Sequence, residues 1–549
     1  MSCLPATAGS LLFTNRPSGI PLPGGLSHFF DTAMTTLPPA SLSATLTSGD
    51  RVLSSADFEQ RVLRAASGFA ALGLQRGDCA ALLLRNDFAF LEASLAAVRI
   101  GAYAVPINWH FKADEVAYVL ADCGAKVLVA HADLLAGVAA AIPAGVSVLV
   151  VETPPEIASA YGGGPRDAPP GATAWDSWLA GQDLWQGAPL PQTSSMIYTS
   201  GTTGRPKGVR RQPMTADLEA RMAGYRERVY GATPGVRTMI PGPLYHSAPN
   251  AFALRAARVA TLIALMPRFD PEAFLRLVET HRIEAMFMVP TMFVLLLKLP
   301  AEVRLGYDLS SLKFIMHAAA PCPPEVKRGM IEWLGPVVHE FYGSTESGAV
   351  TVVDSHEWLA RPGTVGRPIQ GGDVRIYDDN GKRLGPGEVG EVYTKLEFLP
   401  EFTYHQLPDK RAEIDREGFI TSGDVGYLDE AGYLFLCDRK RDMVISGGVN
   451  IYPAEIEAVL INCPGVKDCA VFGIPDGEYG EALLAVVEAQ PGLPPPSIAE
   501  IREYLSRHLA GYKVPKRIEF GTNLPREDSG KIFKRRLRDP YWASAGRAI

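Results

Sequence analysis

Apolar residues in the first quarter of the chain follow helical and strand spacings in turn. The predicted order is helix 58–72, strand 80–84, helix 88–99, strand 102–107, helix 113–122 and strand 126–130. Hydroxyl side chains precede the first helix and Gly73 follows it, as expected of helix ends. This alternation predicts an α/β fold in which helices flank a mainly parallel sheet and ligands bind beyond the carboxyl ends of its strands.

Further along, the pattern becomes less regular. Residues 152–192 are rich in Gly, Pro, Ala and Trp without a clear period, which predicts a surface connection. A helix is predicted at 215–229 and a strand at 314–317, with a short strand at 336–339 and another at 425–428. At 549 residues the chain is too long for one ordinary core, so we expect at least two domains.

Composition narrows the class of protein. Apolar residues make up 47% and charged residues 21%, and the net charge is -7, which favours a soluble globular enzyme and argues against a nucleic-acid partner. Seven cysteines without a Cys-x-x-Cys pair suit reduced thiols in the cytoplasm. No secretory signal and no integral membrane segment is predicted.

A glycine-rich and hydroxyl-rich loop follows the apolar run 196–198. Residues 199–208 read Thr-Ser-Gly-Thr-Thr-Gly-Arg-Pro-Lys-Gly, which supplies converging backbone N–H groups, hydroxyl donors and a fixed positive charge. The loop matches neither a Walker loop nor a Rossmann turn. An oligophosphate is the expected guest, and a flexible surface loop is the alternative. The candidate ligands are Thr199, Ser200, Gly201, Thr202, Thr203, Gly204 and Lys207.

A second polar motif, Tyr-Gly-Ser-Thr-Glu, occupies residues 342–346. One carboxylate beside a hydroxyl, reached by a glycine turn, suits Mg²⁺, which takes few protein carboxylates and completes its shell with substrate and water. Glu346 is therefore the candidate metal ligand. The alternative is that Ser344 to Glu346 form the capping box of a helix.

Together these motifs resemble the adenylate-forming (ANL) superfamily of acyl-CoA synthetases, beetle luciferases and peptide-synthetase adenylation domains. The resemblance covers nearly the whole chain, with separate motifs in the family's order. It implies a large N-terminal domain, 1–437, of mixed parallel sheets with flanking helices. A smaller mobile α+β domain, 438–549, is implied to follow, with Arg441 at the hinge, where lysine or aspartate is more common.

The resemblance also implies roles for individual residues. Lys531, in a Ser-Gly-Lys motif, matches the catalytic lysine, and His246, in Pro-Leu-x-His, lies where acyl and thiol channels join. Thr345 is implied to bond the α-phosphate or the acyl carboxylate. Thr202 joins Glu346 as a metal ligand. The remaining implied contacts are Ala318, Ala319, Ala320, Tyr342 and Gly343 for adenine, Asp424 and Arg439 for ribose, and Gly447 and Gly448 for CoA.

This sequence departs from the family pattern at two of these places. His317 and Ala318 stand in a segment that is usually richer in glycine, and Ser422 replaces a threonine. The first departure bears on the fit of adenine, whereas the second keeps the hydroxyl.

The implied activity is that of an AMP-dependent carboxylate–CoA ligase that uses ATP, Mg²⁺ and CoA. Ligases that pass the acyl group to a carrier protein, a luciferase-like monooxygenase and a non-catalytic adenylate-binding sensor are the alternatives. The segments expected to line the acid pocket are small and mostly apolar, with no obvious cation, which predicts a hydrophobic monocarboxylic acid: fatty, aromatic or polycyclic. A homodimer is compatible with the sequence.

Overall fold

The computed structural model describes residues 41–163, 167, 172–188, 190–199, 205–446, 449–477, 479–526 and 532–543. The first elements of the described chain are β1 Thr45–Ser48, β2 Arg51–Leu53, α1 Ser55–Ala71, β3 Cys79–Leu83, α2 Phe88–Arg99, β4 Tyr103–Pro106, α3 Ala113–Cys123, β5 Ala125–His131, α4 Ala132–Leu135, β6 Ser147–Val151, α5 Pro155–Ala160, β7 Thr173–Ala174 and α6 Trp175–Ala180. Helix α1 begins where Ser54 accepts a hydrogen bond from the Asp57 N–H (3.1 Å), and it buries the predicted apolar face.

These strands confirm the predicted parallel alternation. They form a parallel sheet in the order β4-β3-β5-β6-β7. The predicted surface connection at 152–192 is wrong in part, because this stretch contains α5, β7 and α6. Trp175 is 2% exposed, and its indole N–H donates to Glu92 (2.8 Å). These elements are six residues or shorter, too short to show a period.

The middle of the chain builds the largest sheet. Its elements are β8 Ile197–Thr199, β9 Lys207–Arg211, α7 Ala216–Tyr230, β10 Arg237–Ile240, α8 Ser247–Val259, β11 Leu262–Leu265, α9 Pro271–His281, β12 Ala285–Met288, α10 Pro290–Leu297, α11 Ala301–Arg304, β13 Phe314–His317, α12 Pro324–Leu334, β14 Val338–Ser344, β15 Gly348–Val353, α13 Ser355–Ala360 and β16 Arg367–Pro368.

The order in this sheet is β16-β15-β14-β13-β12-β10-β11-β1-β2. Its centre, from β14 to β1, is parallel, and the flanking pairs β14/β15 and β1/β2 are antiparallel. Phe252, Phe274 and Phe293 from α8, α9 and α10 are fully buried in the core against the sheet. The carboxyl ends of β10, β13 and β14 therefore lead to His246, Ala318 and Glu346, the edge where ligands are expected.

The next elements form an antiparallel layer. They are β17 Gly372–Tyr377, β18 Gly390–Leu396, β19 Phe402–Tyr404, α14 Pro408–Ala412, β20 Asp415–Arg416, β21 Phe419–Leu428 and β22 Leu434–Arg439. The order is β17-β18-β21-β20, with β22 on β21, while β19, β9 and β8 form a small sheet of their own. The predicted strand at 425–428 thus begins earlier, at Phe419, and carries the Thr-Ser-Gly-Asp motif within it.

The C-terminal elements are β23 Val444–Ser446, β24 Val449–Ile451, α15 Pro453–Leu460, β25 Val466–Asp476, β26 Gly480–Ala489, α16 Ile498–His508, β27 Arg517–Phe520 and α17 Lys534–Ala543. They form a sheet in the order β24-β23-β26-β25, with β27 parallel to β26. This arrangement confirms the expected α+β character of the small C-terminal part. No helix within the described residues has the length and apolar character that a membrane crossing requires.

Candidate active site

A cavity of about 1150 Å³ lies beyond the carboxyl ends of the large sheet. The antiparallel layer and the start of α17 complete its walls. The predicted site residues that line this cavity are Thr199, Lys207, His246, Ala318, Ala319, Gly343, Thr345, Glu346, Asp424, Arg439 and Arg441. Ala320 follows Ala319 outside this lining. The fold therefore brings together motifs that lie more than two hundred positions apart in the chain.

Glu346 lies at the tip of the hairpin formed by β14 and β15. Ser344 Oγ accepts from the N–H groups of Glu346 (3.2 Å) and Ser347 (3.0 Å), which fixes the turn. The capping-box alternative is wrong, because a strand follows this motif instead of a helix. The predicted short strand at 336–339 likewise extends to Ser344.

Gly343 is required where the two strands of this hairpin come together. A Cβ atom at Gly343 would lie 1.8 Å from the backbone oxygen of Gly348, which is closer than any real contact. The motif therefore needs glycine for close backbone approach.

The Glu346 carboxylate faces the cavity beside hydroxyl groups. Its Oε1 accepts from Tyr404 Oη (3.0 Å) and lies 3.4 Å from Thr199 Oγ1. Burial and the nearby Glu346 raise the pKa of Tyr404, so the phenol stays a donor. A lone carboxylate among hydroxyl donors, open to a cavity wide enough for phosphate and water, is a donor set that fits Mg²⁺.

Asp424 and Arg439 face each other across β21 and β22. They are paired in register, and Arg439 Nε lies 3.3 Å from Asp424 Oδ1. Tyr342 donates from Oη to the other oxygen, Oδ2 (2.7 Å). Burial, followed by the charge of Asp424, raises the pKa of Tyr342 well above its ordinary value. The carboxylate is thus held in one orientation, with lone pairs left to accept hydroxyl groups.

Ala318 and Ala319 follow β13 at the cavity wall. Ala319 has φ +78°, in the left-handed region that favours glycine. The preceding His317 points the other way into the core, where its ring packs on Phe293 (5.1 Å between centroids). Burial lowers the pKa of His317 well below its ordinary value. His317 is therefore a neutral core residue, and its departure from the family pattern leaves the cavity wall small.

His246 begins α8 at the same edge of the sheet. It is the residue before Ser247, at the N-cap, and its ring lies 4.2 Å from that of Tyr245. The cavity lining on either side continues with Gly242, Pro243 and Ser247. The imidazole is thereby positioned on the cavity wall by the helix start.

The C-terminal part reaches the cavity through the residues after 531. Ile532, Phe533 and Lys534 line it, and Arg538 Nη1 donates to the backbone oxygen of Arg441 (3.1 Å). Asp438 accepts from the Ala454 N–H (2.9 Å) at the start of α15. The predicted hinge residue Arg441 is thus bonded to α17, and the nearby Asp438 is bonded to the start of α15. The predicted residues Ser200, Gly201, Thr202, Thr203, Gly204, Gly447, Gly448 and Lys531 lie outside the described residues.

Comparison with known proteins identifies the family. The model for the AMP-binding enzyme matches residues 38–399, and that for the AMP-binding enzyme C-terminal domain matches residues 455–531. The chain belongs to the AMP-binding enzyme family. This confirms the expected superfamily and enzyme class, the AMP-forming carboxylate–CoA ligases.

Relatives of this AMP-binding enzyme match along most of their length. The feruloyl-CoA synthase of Amycolatopsis sp is 35% identical over 503 residues, covering 89% of this chain and 94% of that protein. The long-chain-fatty-acid–CoA ligase FadD13 of Mycobacterium tuberculosis is 32% identical, covering 88% and 92%. The fatty acid–[acyl-carrier-protein] ligase ScoC of Streptomyces coeruleorubidus is 31% identical, covering 91% and 93%.

A solved structure has the same fold. The anthranilate CoA ligase AuaEII in complex with anthranoyl-AMP aligns with a TM-score of 0.79 at 25% identity, over 93% of this chain and 96% of that one. The expected α/β fold with a smaller C-terminal domain is thereby confirmed.

Arg211 is a site residue of this AMP-binding enzyme that sequence reasoning missed. Its guanidinium donates to the backbone oxygens of Thr345 (2.7 Å), Glu346 (2.6 Å) and Pro400 (2.8 Å). Burial lowers the pKa of Arg211 to about 10. Because its acceptors are backbone atoms far along the chain, no residue pattern indicated this role.

The charge of the cavity lining also differs from expectation. The sequence indicated no cation near the acid, whereas Arg226, Arg255 and Arg258 line the cavity. They come from α7 and α8, outside the segments that the motifs identified. The lining also includes the aromatic or apolar side chains of Tyr225, Tyr230, Leu254, Met292 and Phe341.

Proposed function

We propose that this enzyme is an ATP-dependent acyl-CoA synthetase acting on a carboxylic acid with an apolar body: fatty, aromatic or polycyclic. It converts the acid through an acyl-adenylate, with release of pyrophosphate and then AMP. One observation supports this most strongly: Asp424 and Arg439, Glu346, Lys207 and the start of α17 face one cavity. A nucleotide held by both ends would lie between these groups.

In the first half-reaction the carboxylate attacks the α-phosphorus of ATP. Asp424, fixed by Tyr342 and Arg439, accepts the ribose hydroxyls. The loop 199–204 and Lys207 hold the β- and γ-phosphates. Glu346 and Thr202 would hold Mg²⁺, which would supply positive charge to neutralise the phosphates.

The reacting centre itself is stabilised by fixed charges and donors. Thr345 donates to the α-phosphate or acyl carboxylate, and Lys531 stabilises the pentacoordinate phosphorus and the leaving pyrophosphate. Neither residue forms a covalent bond. His246 orients the carboxylate from the cavity wall.

In the second half-reaction a thiol displaces AMP. Gly447 and Gly448 let the thiol donor approach the backbone closely, and they lie on the same small domain as Lys531. The domain, 438–549, rotates about Arg441 between the two steps. The bond from Arg538 to the Arg441 backbone oxygen joins the proposed hinge residue to α17 of this domain.

Transfer to a carrier protein is the second candidate, favoured by the relative that acts on a fatty acid and an acyl carrier protein. CoA is preferred because the other relatives described above are CoA ligases. A non-catalytic adenylate sensor is disfavoured, since such a protein has no need of Glu346 in an open cavity or of Lys531.

The test is pyrophosphate release and thioester formation with ATP, Mg²⁺ and a panel of acids, with CoA or a phosphopantetheinylated carrier protein. We expect release with at least one apolar acid, thioester with CoA, and about a 100-fold lower kcat for Glu346→Gln. Glu430→Gln, an exposed carboxylate change outside the cavity, is the matched control. If no acid elicits pyrophosphate release, the proposal is excluded. If thioester forms on the carrier protein alone, the thiol substrate is the carrier protein and not CoA.

A further inference from the structure

Guanidinium groups cluster at one end of the cavity, between helices α7 and α8. Arg226 comes from α7, and Arg255 and Arg258 come from successive turns of α8. The Arg255 side chain is 6% exposed and that of Arg258 24%. All of these side chains line the cavity, so they are turned away from bulk water and toward the space where the acid would lie.

The arginine cluster has fewer carboxylate partners than guanidinium groups. Arg255 pairs with Glu227 (3.0 Å), a residue that is 40% exposed, and Arg258 contacts Gln192 and lies 3.8 Å from Glu219. Arg226 donates to the sulfur of Met214 (3.6 Å), a weak acceptor. Among the described residues, no carboxylate forms an ion pair with Arg226. The cluster therefore carries more positive than negative charge.

Such an arrangement of like charges away from bulk water is costly. Buried cations need an opposite charge or full hydrogen bonding, and like charges repel each other more strongly away from water. The consequence is visible at Arg258, because burial and then the charge of Arg226 lower its pKa to about 10. An anion bound between Arg226 and Arg258 would remove this repulsion and complete their hydrogen bonds.

The position of the arginine cluster indicates what kind of anion it would bind. Glu346 lies at the tip of the β14/β15 hairpin, and Tyr225, next to Arg226, accepts at its Oη from the Ala349 N–H of that hairpin (2.7 Å). Phe341 and Tyr230, whose ring centroids lie 6.2 Å apart, line the same cavity. The arginines thus share this cavity with Glu346 and with an apolar lining, where the far end of an acyl group would reach.

We propose that the acid carries a second carboxylate at the end remote from the reacting one, bound by Arg226 together with Arg258. The substrate class is a dicarboxylic acid with an apolar spacer. The planar guanidinium matches a carboxylate in bidentate geometry, and its charge is offset only when that group is ionised. This proposal rests on the proposed acyl-CoA synthetase activity and makes its substrate more specific.

The test compares matched acids in pyrophosphate release. For spacers of graded length, such as the even-numbered series around dodecanedioic acid, kcat/KM is measured for the diacid, its monomethyl ester and the simple monocarboxylic acid. We expect the wild type to favour the diacid over the ester by at least tenfold at the best length. Arg226→Met should lower kcat/KM for the diacid at least tenfold and leave that for the ester within twofold.

Two further variants distinguish binding of the second carboxylate by Arg226 from a purely structural role of this residue. Arg226→Lys keeps the charge and should restore part of the preference, and Arg221→Met, on the exposed face of α7, should leave it unchanged. Equal loss for diacid and ester in Arg226→Met, or a wild-type preference for the ester at every length, would overturn the second-carboxylate proposal. Turnover of monocarboxylic acids alone would retain the synthetase function while overturning this inference. No turnover with any acid would overturn both.

Discussion

At the scale of single residues, the site depends on side chains that hold the catalytic groups as much as on those groups themselves. Arg211 is the clearest case, because its guanidinium donates to the backbone oxygens of Thr345 and of Glu346, the proposed metal ligand. Arg211 belongs to none of the motifs that are predicted to bind the phosphates or the acid. We therefore infer that Arg211 positions Glu346 without itself reacting.

Replacement of Arg211 tests this role. Arg211→Met leaves the oxygens of Thr345 and Glu346 without their donor, so we expect the hairpin tip to shift and kcat/KM for pyrophosphate release to fall about 10- to 100-fold. The required Mg²⁺ concentration should rise as well, which a purely structural loss would not cause. The neighbouring Arg210→Met, which loses a bond to Gly77 outside the cavity, is the control. An unchanged Mg²⁺ dependence would contradict the positioning role.

Two glycine-to-alanine substitutions, one expected to lower stability and one to raise it, test whether the β14/β15 hairpin needs close backbone contact. Gly343→Ala should lower the thermal midpoint and abolish adenylation, because its Cβ would overlap the Gly348 oxygen. Gly224→Ala, in the middle of α7 with open space around the Cβ, should raise stability by about 0.5–1 kcal/mol. Differential scanning calorimetry of both variants measures this. A functional Gly343→Ala enzyme would show that the hairpin geometry is not required.

The motif residues could be predicted because each carries its own chemistry in a short stretch of sequence. Glu346, Asp424 and Lys207 were expected in one site, and the fold brings them to one cavity. Arg211 and Arg226 could not be predicted, since their partners are backbone atoms or cavity space that only tertiary structure defines. The placement of His317 in the core follows from packing on Phe293 and likewise had no local signal.

At the scale of elements, helix α17 is anchored by a buried ion pair. Lys534 Nζ lies 2.9 Å from Glu457 of α15, and Lys534 is 8% exposed. Burial raises the pKa of Glu457 despite this pairing. The pair therefore fixes α17, which follows Lys531, to the body of the small domain.

Breaking this pair should loosen the helix. Lys534→Met leaves Glu457 buried without its partner, and we expect a loss of about 3–5 kcal/mol in the stability of the C-terminal part. The double variant Lys534→Met with Glu457→Gln should recover much of that loss. Arg535→Met, which breaks an exposed pair with Asp539, should change the midpoint little. Thermal unfolding compares the three, and equal effects of the Lys534 and Arg535 variants would contradict the anchoring.

Strand β14 carries the half-buried His339 and its neighbour β13 the buried His317, and both should make the large domain sensitive to acid. Burial lowers the pKa of His339 to about 4, below its ordinary value of 6.5. The unfolded chain then binds protons that the folded chain does not, so stability falls as the pH drops from about 6.5 toward 4. Burial also lowers the pKa of His317, so this histidine likewise reduces the stability of the folded state as the pH drops.

The measurement is the thermal midpoint at pH 7 and pH 5. His339→Phe keeps the ring contact with Phe314 (4.3 Å) but cannot titrate, so its midpoint should fall less between these values than that of the wild type. The expected difference is up to roughly 2 kcal/mol at pH 5. His508→Phe, an exposed change, should follow the wild type. If the midpoint of His339→Phe falls as much between pH 7 and pH 5 as that of the wild type, His339 is not the source of the acid sensitivity.

At the scale of the whole molecule, the alternation of strands and helices was enough to predict an α/β fold with a parallel sheet. The predicted bounds of α1, α2 and α3 fall close to the observed bounds because these helices are long; α1 and α3 bury one side, and α2 is buried almost all round. Short elements such as α5 and α6 escaped prediction, and the sheet order could not be predicted, since strand pairing is not local. The boundary after residue 437 and the rotation about Arg441 stay predictions.

The account depends on one nucleotide being shared between the large domain and Lys531. Without CoA, rapid mixing of the enzyme with ATP, Mg²⁺ and an accepted acid tests this directly by measuring the first turnover. We predict a burst of pyrophosphate stoichiometric with the enzyme, with acyl-AMP retained until CoA is added. Lys531→Ala should slow the burst about 100-fold or more, and Lys516→Ala, an exposed lysine change on the same domain, should not. An undiminished burst in Lys531→Ala, or none in the wild type with any acid, would contradict the account.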